Sequence, residues 1–313
     1  MSLPDVLVVA PLMPFLMEAL RGRFTVHDRI HASDPAAFAA VAPRIRGVVA
    51  NGEAKVPREL IAQLPALEVI TVFGVGYDGV DVAAAHERGV PVTNTPDVLN
   101  DDVADLAIGL LISVARRIPQ ADRFVRAGEW TSGPFTLSRK VSGAKLGIVG
   151  MGRIGQAIAH RATAFGMQIA YTARSPRAGV GYGYHPDAVS LAAASDFLVV
   201  ITPGGAGTLG MIDADVLKAL GPDGYLVNVA RGTVVDQPAL VDALQGGIIA
   251  GAALDVFVGE PNVPESLRNM PNVVLTPHIG SGTRQTREAM ARLTFDNLCA
   301  HFAGQPLLTP VDA

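Results

Sequence analysis

The stretch "KLGIVGMGRIGQAIAHRATAFG", residues 145–166, limits the possible folds more than any other part of the chain. A short apolar run ends at Gly150, the glycines recur as Gly150-x-Gly152-x-x-Gly155, and residues at helical spacing follow at once. That order asks for a buried strand, a tight turn and a helix. The first glycine permits the turn, the second lets a pyrophosphate approach the backbone, and the third lets helix and strand pack closely. The helix N-terminus then offers unpaired N–H groups and the positive end of its dipole to phosphate. The glycines alone also suit an ordinary turn. Their strand–turn–helix setting, with another strand run at the right interval, reads as a dinucleotide site.

The rest of the chain extends this pattern. "VLVV" (6–9), "GVVA" (47–50), "LEVITVF" (67–73) and "VPVTN" (90–94) alternate with stretches rich in Ala, Leu and charge. A second series begins at residue 145 and continues through "MQIAY", "DFLVVIT", "YLVNVA", "GIIAGAALDV" and "NVVLTPH". Strand runs that are apolar throughout imply parallel sheets covered on both faces. At 313 residues the chain is too long for one ordinary core, and the two series predict an α/β protein of two doubly wound parallel-sheet domains. Residues 100–130 read as one helix of about thirty residues, capped by Asn/Asp and broken or kinked near Pro119, long enough for a core or a subunit interface. A last helix, 282–303, follows the second sheet and is expected to return to the first domain.

Composition removes several classes of function. The net charge of −4 is mild and no Lys/Arg run occurs, so neither nucleic acid nor an anionic membrane is expected as a partner. The single cysteine, Cys299, excludes an intrachain disulfide and a thiolate metal cluster, and suits a reduced compartment. The apolar N-terminus lacks a basic leader region and carries prolines 4, 11 and 14, so it reads as strand, turn and helix rather than a signal peptide. No apolar run spans a bilayer, and a cytoplasmic protein is expected.

"AYTARSP", residues 170–176, stands where a dinucleotide site usually carries an acid for the ribose. An acid there would repel a 2′-phosphate, and an arginine does the reverse. Arg174 can meet phosphate with a charge-assisted fork, Ser175 can add a hydrogen bond, and Arg177 can assist. The alternative is a solvated turn. The cofactor predicted is NADP(H), with NAD(H) possible.

Three more strand ends carry chemistry: Arg231 in "NVARGTVVD", Asp255 and Glu260 in "ALDVFVGEP", and His278 in "VVLTPHIGS". Ligands of open α/β sheets bind beyond the carboxyl ends of the strands. Arg231 can hold a carboxylate and polarise a neighbouring carbonyl. His278 can supply the proton when hydride reaches that carbonyl. Glu260 can pair with His278, fix its tautomer and favour its charged form. Each has a plainer reading: Arg231 as a surface charge, Glu260 before Pro261 as a turn residue, His278 as a loop histidine. His160 reads as a packed or half-exposed helix residue. His27, His31, His86, His185 and His301 have no acidic or Cys/His partner at ligand spacing, so no metal is expected.

With these residues goes a resemblance. The stretches "VFGVGYDGVD" (72–81), "VTNTPDVLNDDVADLAIGLL" (92–111), "GIVGMGRIGQAIA" (147–159), "NVARGTVVD" (228–236), "GAALDVFVGEP" (251–261) and "LTPHIGSGT" (275–283) are similar, in order and over nearly the whole chain, to those of the D-2-hydroxyacid dehydrogenase family, specifically its glyoxylate/hydroxypyruvate reductase branch. The resemblance implies a catalytic set of Arg231, Glu260 and His278, with the backbone amides of Val75 and Gly76 holding the substrate carboxylate. It implies cofactor contacts from Gly150, Gly152, Arg153, Ile154, Gly155, Arg174, Ser175, Ala230, Asp255 and Gly280. "ITPGGAGTLGMI" (201–212) departs from the family's Pro-x-Thr-x-x-Thr pattern and leaves Thr202, Pro203 and Thr208 as candidates for the cofactor groove. The implied architecture inserts a Rossmann cofactor domain, 99–283, into a flavodoxin-like substrate domain, 1–98 plus 284–313. Hinges are expected near 95–100 and 281–284, and a homodimer through helix 100–127 with an arm at 129–140. The implied reaction is NADPH-dependent reduction of small 2-oxoacids, glyoxylate and hydroxypyruvate. The alternatives are larger 2-oxoacids such as hydroxyphenylpyruvate or 2-ketogluconate, and, from another class, a dinucleotide-sensing corepressor-like scaffold.

Overall fold

Among residues 3–312, which the computed structural model describes, twelve named strands form two sheets in which every strand pair runs parallel. The first sheet comprises β1 (Asp5–Val8), β2 (Thr25–Asp28), β3 (Ile45–Asn51), β4 (Val69–Phe73) and β5 (Val92–Thr93), in the order β2-β1-β3-β4-β5. The second comprises β6 (Lys145–Val149), β7 (Gln168–Thr172), β8 (Gly183–His185), β9 (Phe197–Val200), β10 (Tyr225–Asn228), β11 (Gly251–Leu254) and β12 (Val273–Leu275). Its order is β12-β11-β10-β9-β6-β7-β8, so the direction of winding reverses between β9 and β6. The two orders are those of flavodoxin-like and Rossmann sheets. The central strands β4 and β9 are buried at every position, as apolar runs under helices on both faces require. β2 and β8 escape the sequence reading because they are half-exposed edge strands, "TVHD" and "GYH", with little apolar character.

One unit runs up to Leu99 and resumes at Thr283; the other is Asn100–Gly282. Each buries its own core. That of the first is centred on Leu7, Ile45, Val48, Leu64 and Ile70, that of the second on Leu191, Leu198, Val200, Leu226 and Ala252.

The long helix expected over 100–130 is instead two. Asn100–Arg116 carries Asp101 and Asp102 in its first turn, where the helix dipole favours acids, and buries Val103, Ala107, Leu110, Leu111 and Val114 along one face. Arg117 then adopts a left-handed conformation at φ 54°, and a second helix, Ile118–Arg126, begins with Pro119 in its first turn. Proline has no N–H to give the preceding turn and suits a helix start. The chain therefore breaks two residues ahead of it.

The C-terminal helix, Arg284–Phe302, folds with the first unit. Phe295 and Phe302 pack on Phe24, and Leu298 lies where a Cβ on Gly47 would reach within 3.2 Å of it. Two histidines have acidic partners distant in sequence: His27 Nε2 lies 2.7 Å from Asp5, and His301 Nε2 3.3 Å from Glu68, which Arg46 also holds. The Arg46 guanidinium, with a smaller contribution from His301, holds the Glu68 carboxyl below the usual carboxylate range. His160 is exposed. No helix among the described residues is long and apolar enough to cross a membrane.

Candidate active site

Six of the seven strands of the second sheet deliver a site residue just past their carboxyl ends. Gly150 follows β6, Arg174 follows β7, Thr202 follows β9, Arg231 follows β10, Asp255 and Glu260 follow β11, and His278 follows β12. Parallel strands in register make this alignment unavoidable, because all their carboxyl ends lie along one edge.

At the winding reversal the three glycines do different things. Gly150 turns at φ +107°, and a Cβ there would come within 2.9 Å of the Thr202 amide. A Cβ on Gly155 would sit 2.1 Å from the Gly150 carbonyl oxygen, so only glycine lets helix Arg153–Thr163 pack this closely. A Cβ on Gly152, the residue before that helix, would meet nothing within 4 Å. The open space lies at a helix N-terminus, and these are the features a pyrophosphate needs. Arg153 is exposed and Ile154 half-buried. In the 201–212 loop the Thr208 hydroxyl donates to the Pro203 carbonyl at 2.7 Å, which ties the loop to itself.

Beyond β7, the side chains of Arg174, Ser175 and Arg177 are exposed, and among the described residues no acid pairs with Arg174. The Arg177 amide donates to the Tyr171 phenol oxygen at 2.8 Å.

The turn after β10 is locked from inside. Asn228 is fully buried; its Oδ1 accepts the Ala230 amide at 3.0 Å and its Nδ2 donates to the Arg231 carbonyl at 3.0 Å. Ala230 is thereby buried, and the half-buried Arg231 donates from Nη1 to its carbonyl at 2.7 Å. A Cβ on Gly232 would come within 2.0 Å of the Phe257 carbonyl carbon, so the β10 and β11 loops touch backbone to backbone.

Asp255, 1% exposed, organises the histidine segment. Its carboxylate accepts the Thr276 hydroxyl at 2.6 Å, the Ile279 amide at 2.9 Å and the Gly280 amide at 2.8 Å, while its carbonyl accepts the His278 amide at 2.9 Å. Burial pushes the Asp255 carboxyl up, against the opposing pull of these donors. His278 itself sits at φ +52°, a left-handed conformation that non-glycine residues seldom adopt unless neighbouring bonds enforce it. Its Nδ1 lies 2.7 Å from Glu260 Oε2, and Glu260 Oε1 accepts the Phe257 amide at 2.7 Å. A carboxylate only accepts, so Nδ1 carries the proton that faces Glu260.

In the first unit Val75 and Gly76 follow β4, half-buried. The Val75 carbonyl accepts from Asn94 Nδ2 at 2.9 Å, and among the described residues neither the Val75 nor the Gly76 amide meets a protein acceptor.

The model for the D-isomer specific 2-hydroxyacid dehydrogenase NAD binding domain matches residues 108–280, more than half of the chain. The chain belongs to this family. The dehydrogenase is 50% identical over 309 residues to hydroxyphenylpyruvate reductase of Plectranthus scutellarioides, covering 98% of both chains. It is 48% identical to glyoxylate/hydroxypyruvate reductase A HPR2 of Arabidopsis thaliana, again over 98% of each. Among solved structures, an NADPH-dependent glyoxylate/hydroxypyruvate reductase of Sinorhizobium meliloti, in complex with NADP and malonate, superposes with a TM-score of 0.94 at 50% identity, covering 99% of this chain and 97% of that one.

Asn228, Thr276 and Tyr171 support the dehydrogenase's candidate site and escape a reading by chemistry alone. Asn228 and Thr276 stand inside the quoted strand-end stretches, but their residue types advertise nothing. Their signal is position: a polar side chain at or just past the end of a strand, two or three residues before Arg231 or His278.

Proposed function

We propose that the protein is an NADPH-dependent reductase of small 2-oxoacids, glyoxylate and hydroxypyruvate, yielding D-2-hydroxyacids. The observation that carries this reading is the 2.7 Å contact of His278 Nδ1 with Glu260, on the strand edge that also bears Arg231 and the glycine turn. The NADP-bound relative from Sinorhizobium and the Arabidopsis reductase support the choice of cofactor and substrate.

The cofactor, when bound, supplies the hydride. Gly150, Gly152 and Gly155, with the first residues of helix Arg153–Thr163, would hold its pyrophosphate. Arg174 and Ser175 would meet the 2′-phosphate, and Thr202, Pro203, Thr208, Ala230, Asp255 and Gly280 would line its groove. The Val75 and Gly76 amides would donate to the substrate carboxylate as an anion nest. Arg231 would grip carboxylate and carbonyl oxygen and stabilise the negative charge that grows there. His278 Nε2 would deliver the proton to that oxygen, while Glu260 keeps the imidazole in the right tautomer and favours its charged form. Asp255 would act on the histidine segment from behind, by holding the 276–280 turn.

The Plectranthus relative favours a second reading, in which the same groups reduce an aryl 2-oxoacid. A kinetic panel of glyoxylate, hydroxypyruvate, hydroxyphenylpyruvate and 2-ketogluconate with NADPH decides between them. The small oxoacids are expected to give the highest kcat/KM. A clear preference for hydroxyphenylpyruvate would replace the first reading with the second, and cofactor binding without turnover on any of them would refute both.

A further inference from the structure

Tyr171 is the fourth residue of β7 and is 2% exposed. Its register partner on β8 is Tyr184, and the two rings meet edge to face at 5.6 Å. A buried phenol oxygen requires a hydrogen-bonding partner. Here the partner lies outside the sheet: Tyr171 Oη accepts the backbone N–H of Arg177 at 2.8 Å, six residues on. Tyr184 adds a longer bond, its hydroxyl donating to the Ala173 carbonyl at 3.4 Å. The chain between these tethers is Arg174, Ser175 and Pro176, all exposed.

The loop is thus anchored from underneath by the phenol of a core residue, with its polar side chains left outside. A short loop that is already closed loses less freedom when it grips a ligand than one that must first be ordered. The part of the ligand that gains from this is whatever touches 174–176. Within the reading that Arg174 and Ser175 meet the 2′-phosphate, that part is the phosphate alone.

We infer that Tyr171 is a positioning residue for cofactor choice: its phenol oxygen, by holding the Arg177 amide, presents the Arg174–Ser175 segment to the 2′-phosphate of NADPH. The inference rests on the cofactor reading above and adds a residue that touches neither cofactor nor substrate.

Tyr171→Phe tests it. The ring, the packing volume and the contact with Tyr184 stay, and only the oxygen goes. The Kd for NADPH, read by fluorescence titration and independently of turnover, should rise about three- to tenfold, the effect of one ordinary hydrogen bond. The Kd for NADH should stay within about twofold, and the thermal midpoint should fall by no more than a few degrees, the stability of one ordinary hydrogen bond. A role confined to core packing predicts no change for either cofactor, and a general weakening of the cofactor half predicts equal losses for both. Either result overturns the inference. Arg174→Ala and the double variant separate this from the reading beneath it. If Arg174→Ala spares NADPH, the phosphate-reading role of Arg174 fails, while a selective loss in Tyr171→Phe would still place the phosphate on this loop. If both single variants lose NADPH selectively, the double variant should lose less than the product of the two, because Tyr171 acts through the segment that carries Arg174. Full independence of the two effects would contradict the positioning role.

Discussion

His278 occupies a backbone conformation that only its surroundings make tolerable. Asp255 accepts from the Thr276 hydroxyl and from the Ile279 and Gly280 amides, and its carbonyl holds the His278 amide, so the imidazole is aimed by backbone as well as by Glu260. His278→Ala should therefore leave NADPH binding nearly intact while kcat falls about 10²–10⁴-fold, the usual effect of losing a general acid. Stopped-flow and fluorescence titration on the same preparation read the two quantities, and near-normal turnover would remove the proton-donor role. Glu260→Gln keeps the shape but removes the charge beside Nδ1, so the imidazolium is less favoured and the pH–rate profile for reduction should move to lower pH. An unmoved profile would argue against the pairing. Arg231→Lys keeps the charge and loses the planar fork, so KM for the oxoacid should rise and kcat should fall. A change in cofactor affinity alone would assign Arg231 elsewhere. Arg231, Glu260 and His278 could be picked out of the sequence because reactive residue types stood at apolar strand ends. The bonds that hold them could not: the Asn228 amide's grip on the Arg231 turn, and the bonds that Asp255, itself picked out, accepts from Thr276, Ile279 and Gly280, become visible only once strands are in register.

At the scale of elements, the glycine turn offers a contrast that separates folding from binding. A Cβ at Gly155 would strike the Gly150 carbonyl oxygen, whereas one at Gly152 enters open space. Gly155→Ala should lower stability by about 1–3 kcal/mol, as overpacking does. Gly152→Ala should fold with a thermal midpoint close to wild type yet bind NADPH at least about tenfold more weakly, because the methyl stands where pyrophosphate must approach. If the two variants behave alike, the turn is only structural. In the first unit, Arg46 on β3, Glu68 just ahead of β4 and His301 on the C-terminal helix are joined. The Glu68 carboxyl is held low, so its contribution to stability is present above the ordinary carboxylate range and is lost as pH falls through the lowered value. The group is 39% exposed, so the effect is that of a surface pair, about 0.2–1 kcal/mol. Glu68→Gln should unfold at lower urea than wild type at pH 7, with the difference closing in acid; a difference that persists in acid would mean lost packing rather than lost charge. Central strands were legible from their apolar runs. The helix break was expected near Pro119 and falls at Arg117, and the edge strands β2 and β8 lacked the apolar pattern that marks a strand.

For the whole molecule, the parallel direction of both sheets follows from alternating strand and helix patterns, whereas the order of the strands becomes visible only in the structure. Assembly is a separate question. Ile118, Val125, Trp130 and Leu137 are exposed on the segment after the first long helix, and Leu137 is 98% exposed. Beside them lies a cavity of about 480 Å³, lined in part by Val114, Arg117, Gln120, Leu137 and Tyr225, in which Gln120 Oε1 is buried without a hydrogen-bond partner. Exposed apolar side chains gathered on one segment are what a subunit contact would cover. Light scattering at micromolar concentration should therefore report a homodimer, and a monomer would leave this surface unexplained. The central claim, an NADPH-linked reductase whose basic loop after β7 reads the 2′-phosphate, is tested most directly by kcat/KM for hydroxypyruvate reduction with NADPH and with NADH, in wild type and in Arg174→Ala. One charge-assisted hydrogen bond at an exposed site, about 1.5 kcal/mol, predicts at least about a tenfold preference for NADPH in wild type. Arg174→Ala should erase most of that preference and leave the NADH values almost unchanged. Equal use of both cofactors by the wild type, or equal damage to both in the variant, would contradict the account.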